Sequence, residues 1–128
     1  GMIGFSLYPH HLKNGSKCTL SDFCSMVAQS ADKYGIGSLG IGSDLCQDQP
    51  DSIVEWMRVG RWSKTIDYGE GSSDNPGFPK QPGWFSNNRD FKNIEKGLAD
   101  VGFDKGEIEA VMGRNWYNFY TDNFLGLD

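Results

Sequence analysis

The segment "YGIGSLGIGSDL", residues 34–45, decides the fold. Leu39 and Ile41 fall on one face of an extended chain, Gly40 and Gly42 on the other, and the run stops at the acid Asp44. A short apolar run bounded by glycine and an acid is a strand from inside a sheet, where both faces are covered. Upstream, "TLSD" places Thr19 as an N-cap with Asp22 three residues on, and Phe23, Met26, Val27, Ser30, Ala31 and Tyr34 follow at helical spacing. The pattern predicts a helix over Leu20–Tyr34, closed by Gly35. Before it, "MIGFSLYP", residues 2–9, is apolar at nearly every position and ends in a proline, which predicts a second strand buried on both faces. Strand, helix and strand make a βαβ unit, so the two strands are parallel and the crossover is right-handed.

Beyond Asp44 the pattern predicts a short helix over 52–59, with Ile53, Trp56 and Met57 on one side and Gly60 as its stop. Residues 61–88 carry Gly69, Gly71, Gly77, Gly83, Pro76, Pro79 and Pro82 and keep no periodicity, so they form a long loop. Trp62, Tyr68, Phe78, Trp84 and Phe85 make that loop too aromatic for a solvated linker; its expected job is to cover the otherwise exposed sheet. A helix over 89–101 follows, with Phe91, Ile94 and Leu98 on one face and Gly102 at its end. The last helix starts at a capping box, Asp104 with Glu107, and Phe103 is placed to staple onto Ile108. Its apolar face runs through Ile108, Val111, Met112, Trp116 and Phe119, with Gly113 as a weak point.

The chain of 128 residues reads as a single α/β domain. A net charge of −5 argues against a nucleic-acid partner, which needs clustered Lys and Arg to displace counterions. Cys18, Cys24 and Cys46 lack the paired spacing of a zinc site and are too few for a disulfide scaffold, so a cytoplasmic location is expected. No stretch approaches the roughly 20 apolar residues of a membrane span. Gly1 before Met2 is expected to be a remnant of tag cleavage, with Met2 as the natural start.

Asp44 is the first candidate site residue. In parallel sheets the loops at the carboxyl ends of the strands converge on one crevice, and Asp44 sits at such an end. It is either a functional carboxylate or a solvated acid capping the following turn. The glycines before it are read as room for packing across a barrel interior, because a phosphate cradle would place them after the strand, at a helix start. His10 and His11 follow the first strand and fall at the same end of the sheet as Asp44. A small metal cluster with Cys46 or Asp48 is one reading. Two surface histidines that point apart is the preferred one.

The order "MIGFSLYP", then "TLSDFCSMVAQSADKYGIGSLGIGSDL", a loop, then "RDFKNIEKGLADVGFDKGEIEAVMGRNWYNF" resembles the C-terminal part of the membrane (renal) dipeptidases. These are zinc metallopeptidases with an amidohydrolase-like (β/α)8 TIM barrel. Gly42, Ser43 and Asp44 match the family's Gly-Ser-Asp ending of the last strand; Gly113 and Asn115 match its Gly-x-Asn motif. The resemblance implies a partial barrel made of the last two β/α units, with residues 46–84 as an inserted loop region. It implies dipeptide hydrolysis by two zinc ions held on earlier strands, and a substrate-side acid at Asp44; His10 and His11 join Asp44 as candidate substrate-binding residues only by their place at the same end of the sheet. The chain departs from the family where Leu45, Cys46 and Gln47 replace a second acid and a glycine, and where Asn118 replaces an arginine. With the ligand-bearing strands outside it, the chain holds no zinc site of its own and is expected to be inactive alone. The alternative is a non-catalytic module for binding a ligand or a protein, in which Trp62 and Trp84 matter and Asp44 does not.

Two parallel strands leave open edges and an apolar face made for the rest of a barrel. The expected cover is a second copy of the chain or a separate chain supplying the missing strands. Light scattering of the purified chain at micromolar concentration checks the first: self-association gives a mass at or above the dimer, and a monodisperse monomer contradicts it.

Overall fold

A computed structural model describes residues 1–58 and 77–124. Two strands, β1 (Ile3–Ser6) and β2 (Leu39–Gly42), pair in parallel, Ile3 opposite Leu39 and Ser6 opposite Gly42. The Leu7 amide donates to the Ser43 carbonyl oxygen at 3.3 Å, which carries the pairing to the residue before Asp44. Between the strands runs α1 (Leu20–Tyr34), with the expected boundaries: Thr19 Oγ1 accepts from the Asp22 amide at 3.0 Å, and Gly35 follows the last turn. The βαβ unit predicted from the two apolar runs is therefore present.

Alternation along the strands separates two faces. Phe5 and Leu39 are buried on the face toward α1, where the Phe5 ring meets Phe23 edge-on at 6.3 Å. Gly4, Ser6, Gly40 and Gly42 lie on the other face. The strands are not buried on both sides as their composition suggests, since Ile3 and Gly4 are exposed. Among the described residues α1 covers the Phe5 face, while the last helix reaches the Gly4 and Gly40 end of the other face, and no further strand flanks the pair.

After β2 comes α2 (Asp51–Arg58), close to the expected span. The predicted stop at Gly60, and Trp62, Tyr68, Gly69, Gly71 and Pro76 of the loop, lie outside the described residues. The described end of the loop corrects its expected job. Trp84 and Phe85 pack in the helix layer, not over the open sheet face: Trp84 lies 5.4 Å from the Phe23 ring, and Phe85 meets Phe91 edge-on at 5.1 Å. Trp84 Nε1 donates to the Cys18 carbonyl at 2.7 Å, so its polar end is satisfied as its ring is covered.

The predicted helix over 89–101 is divided into a 3-10 turn at Asn88–Asp90 and α3 (Phe91–Asp100). The tighter turn forms because Asp90 takes the amides of Ser86 and Asn87, and these bonds, Ser86 first, hold its carboxyl below the usual value. Buried Ile94 and Leu98 face the core, and α3 approaches α1 closely at Gly97, where an added Cβ would stand 2.6 Å from Cys24 Sγ.

The capping box at Asp104 and Glu107 forms as expected and starts α4 (Lys105–Glu109). The predicted single final helix is instead broken: the backbone leaves helical geometry at Gly113, and α5 (Asn115–Phe124) continues in a new direction. The break turns Asn115 and Trp116 onto β2. Asn115 Nδ2 donates to the carbonyls of Ile36 and Leu39, each at 2.8 Å, and Trp116 Nε1 donates to that of Ile41 at 3.1 Å.

This docking revises the role of the strand glycines. Gly40 is required by Trp116, because a Cβ there would lie 2.3 Å from the indole nitrogen. Gly4 faces the same ring at 3.1 Å, whereas no atom of the described residues lies within 4 Å of the Cβ position at Gly42. The space serves a tryptophan from the last helix, a partner no local pattern names. Gly40→Ala should destabilise the chain by roughly 1–3 kcal/mol, the usual cost of overpacking. Urea unfolding of the variant checks this, and an unchanged midpoint would show that the ring does not seat there.

Candidate functional site

The site stands at the carboxyl ends of β1 and β2, where the ladder stops and both chains turn away. Asp44 follows β2 by two residues and has φ of +48°, in the left-handed region. For a residue with a Cβ that conformation costs about 1–2 kcal/mol, less for Asp than for most. Such positions cluster where the surrounding structure holds a side chain in place for use. Here the holder is on the neighbouring strand: Ser6 Oγ donates to Asp44 Oδ2 at 2.6 Å. The Cys46 thiol lies 3.6 Å from the Asp44 carbonyl and ties down the turn beyond it.

Ser6 also joins the first histidine segment to Asp44. After β1, Pro9–His11 forms a 3-10 turn, not the extended segment expected for adjacent histidines. Pro9 at the first position pre-sets that turn. The rings of His10 and His11 both lie edge-on to Tyr8, at 5.7 and 5.5 Å. His11 Nδ1 lies 2.9 Å from Ser6 Oγ, and the Tyr8 amide donates to the same oxygen at 3.1 Å. The structure therefore brings His11 to Asp44 through one hydroxyl. Asp44 and His11 are exposed and Ser6 is half-buried, so a solute can reach the group.

Sequence reasoning missed Ser6. Its signal was available as parity: Ser6 shares a face with Gly42, whose missing side chain leaves that part of the face clear, and Asp44 lies one alternation further on. Recognising it required the register of two strands far apart in sequence.

The described residues contain no group of three or more His, Cys, Asp or Glu side chains that could hold a metal ion. His10, His11, Cys46 and Asp48 do not form the cluster that one sequence reading allowed. The two other cysteines are buried away from the site; burial pushes the Cys24 thiol up to about 11 and raises Cys18 as well, which makes both poor nucleophiles. Asp22, held low first by its bond from Lys13 and then by Thr19, is occupied with capping α1.

No family model matches the chain, and no curated protein matches it. The fold does match a crystal structure of an amidohydrolase from Pseudomonas aeruginosa, with a TM-score of 0.80 and 22% sequence identity. The match covers 95% of this chain and 36% of that one, so the chain spans little more than a third of its solved counterpart. The chain thus has the fold of part of an amidohydrolase. No helix among the described residues is long and apolar enough to cross a membrane.

The left-handed backbone at residue 44 is open to direct test. Asp44→Gly and Asp44→Ala both remove the carboxylate, so their difference isolates the backbone. The glycine variant should be the more stable by roughly 0.5–1 kcal/mol, after allowance for the chain entropy glycine loses. Chemical denaturation of the pair checks it, and an alanine variant of equal or greater stability would contradict the left-handed geometry.

Proposed function

We propose that the chain supplies the closing strands of an amidohydrolase-like barrel of the dipeptidase kind, in which Asp44 is the substrate-side acid. The observation that carries this reading is the placement of Asp44: a carboxylate at the carboxyl end of a parallel strand, on a left-handed residue, and held by a hydroxyl from the adjoining strand. In sheets of this type that end is where substrates are bound. The ionised carboxylate offers an anion and hydrogen-bond acceptors, which suit the free amino group of a dipeptide and a proton moved during hydrolysis.

In this reading the zinc ligands are supplied by strands that the chain joins; among the described residues no group of three or more His, Cys, Asp or Glu side chains could hold a metal ion. Isolated, the chain binds without turning over. The open sheet edges and the exposed Ile3, Tyr117, Tyr120 and Phe124 favour a cover from a second copy or from a separate chain that completes the barrel.

Hydrolysis of a dipeptide panel with added zinc tests the proposal. The chain alone should release no amino acids above the metal background. Joined to the missing strands, it should hydrolyse dipeptides, and Asp44→Asn should then lower kcat/KM by about 100-fold. Turnover by the isolated chain would overturn the assignment of the metal ligands. An Asp44→Asn enzyme with unchanged kcat/KM would overturn the role given to the acid.

A further inference from the structure

Among the described residues Ser6 Oγ has three polar neighbours: the Tyr8 amide at 3.1 Å, Asp44 Oδ2 at 2.6 Å and His11 Nδ1 at 2.9 Å. A hydroxyl has one proton to give and two lone pairs to accept with. The amide can only donate, so it takes one lone pair. A carboxylate can only accept, so it takes the proton; 2.6 Å is the length of a hydroxyl bond to a charged oxygen. One lone pair remains, and His11 can satisfy it only with a proton on Nδ1. The order of donation is therefore His11 Nδ1–H to Ser6 Oγ, and Ser6 O–H to Asp44.

We propose that His11 and Ser6 are positioning residues for Asp44: His11 is fixed as its Nδ1–H tautomer, which commits the Ser6 proton to Asp44 and holds the carboxylate at the mouth of the sheet. Each step constrains the next. Were His11 to present a bare Nδ1, it would compete with Asp44 for the single hydroxyl proton, and the carboxylate would lose its tether. With Nδ1 protonated, Nε2 becomes the accepting nitrogen of the neutral ring.

The same wiring separates this group from a serine hydrolase triad, although Ser, His and Asp all take part. In such a triad the nitrogen facing the serine is bare and removes its proton. Here that nitrogen carries a proton and the serine gives its own to the acid. Ser6 has no base to activate it as a nucleophile, and its task is to aim Asp44.

The functional consequence rests on the proposed role of Asp44, whereas the tautomer does not, and the experiment separates the two. Long-range 1H–15N correlation spectra of the full chain, recorded where His11 is neutral, report which ring nitrogen bears the proton. His11 should show Nδ1–H, and Ser6→Ala should convert it to a tautomer mixture. The 13C shift of the Asp44 carboxyl should move in Ser6→Ala and in His11→Gln. It should return to the native value in His11→Asn, whose amide nitrogen can stand where Nδ1 stood. That rescue distinguishes a specific bond from general loss of packing. Nε2–H in the native chain, or no rescue by His11→Asn, would overturn the inference whether or not dipeptides are cleaved. A native Nδ1–H signal with rescue supports it, even where the dipeptidase assay fails and overturns the functional role alone.

Discussion

The seating of Asn115 and Trp116 on β2 is the constraint on which the rest of the fold depends. A two-stranded parallel sheet is a weak object by itself, because it has two edges and can bury only one face against a single crossover helix. Asn115 supplies what the start of β2 lacks. Both protons of its amide go to backbone carbonyls, Ile36 before the strand and Leu39 within it, and the residue is 7% exposed. Removing one partner of such a buried set leaves acceptors unsatisfied at about 1–3 kcal/mol each, so the contact fixes the last helix in place rather than merely covering the sheet. Trp116 then fills the space above Gly40 with its own polar atom bonded to Ile41.

That contact has a consequence at the other end of the strands. With Trp116 over Gly4 and Gly40, the same face further along carries Ser6 and Gly42, and beyond them Asp44. The face is thus divided: one half packed by the final helix, the other left for the hydrogen-bonded group of His11, Ser6 and Asp44. Glycine serves both halves for different reasons. At position 40 it admits a ring; at position 42 no heavy atom of the described residues lies within 4 Å of where a Cβ would stand, which among them leaves room beside Ser6.

The helix layer is held by a separate set of contacts. Phe23 of α1 meets Phe5 from the sheet and Trp84 from the loop, while Gly97 lets α3 close against Leu20 and Cys24. The aromatic residues at the end of the long loop are consumed here. They stabilise the outer layer and, among the described residues, leave the Ser6 and Gly42 half of the inner face without a packed helix, which is why a further cover belongs in the functional proposal.

Local chemistry determined a good deal of this protein. Thr19 and Gly35 bound α1, and the Asp104–Glu107 capping box starts α4, because a cap is satisfied within one turn of chain and needs no distant partner. The two apolar runs defined a βαβ unit for the same reason: periodicity and chain direction settle which elements form and that the strands run parallel. Asp44 was legible as a strand-end acid by its position. What only the tertiary structure decided are the relations between distant segments. The seating of Asn115 on Ile36 and Leu39, the use of Gly40 by Trp116 and the link from His11 through Ser6 to Asp44 join residues up to 79 positions apart. A hydroxyl's choice of donor and acceptor depends on what stands within about 3 Å of it in space, and no spacing along the chain encodes that distance until the strands have paired.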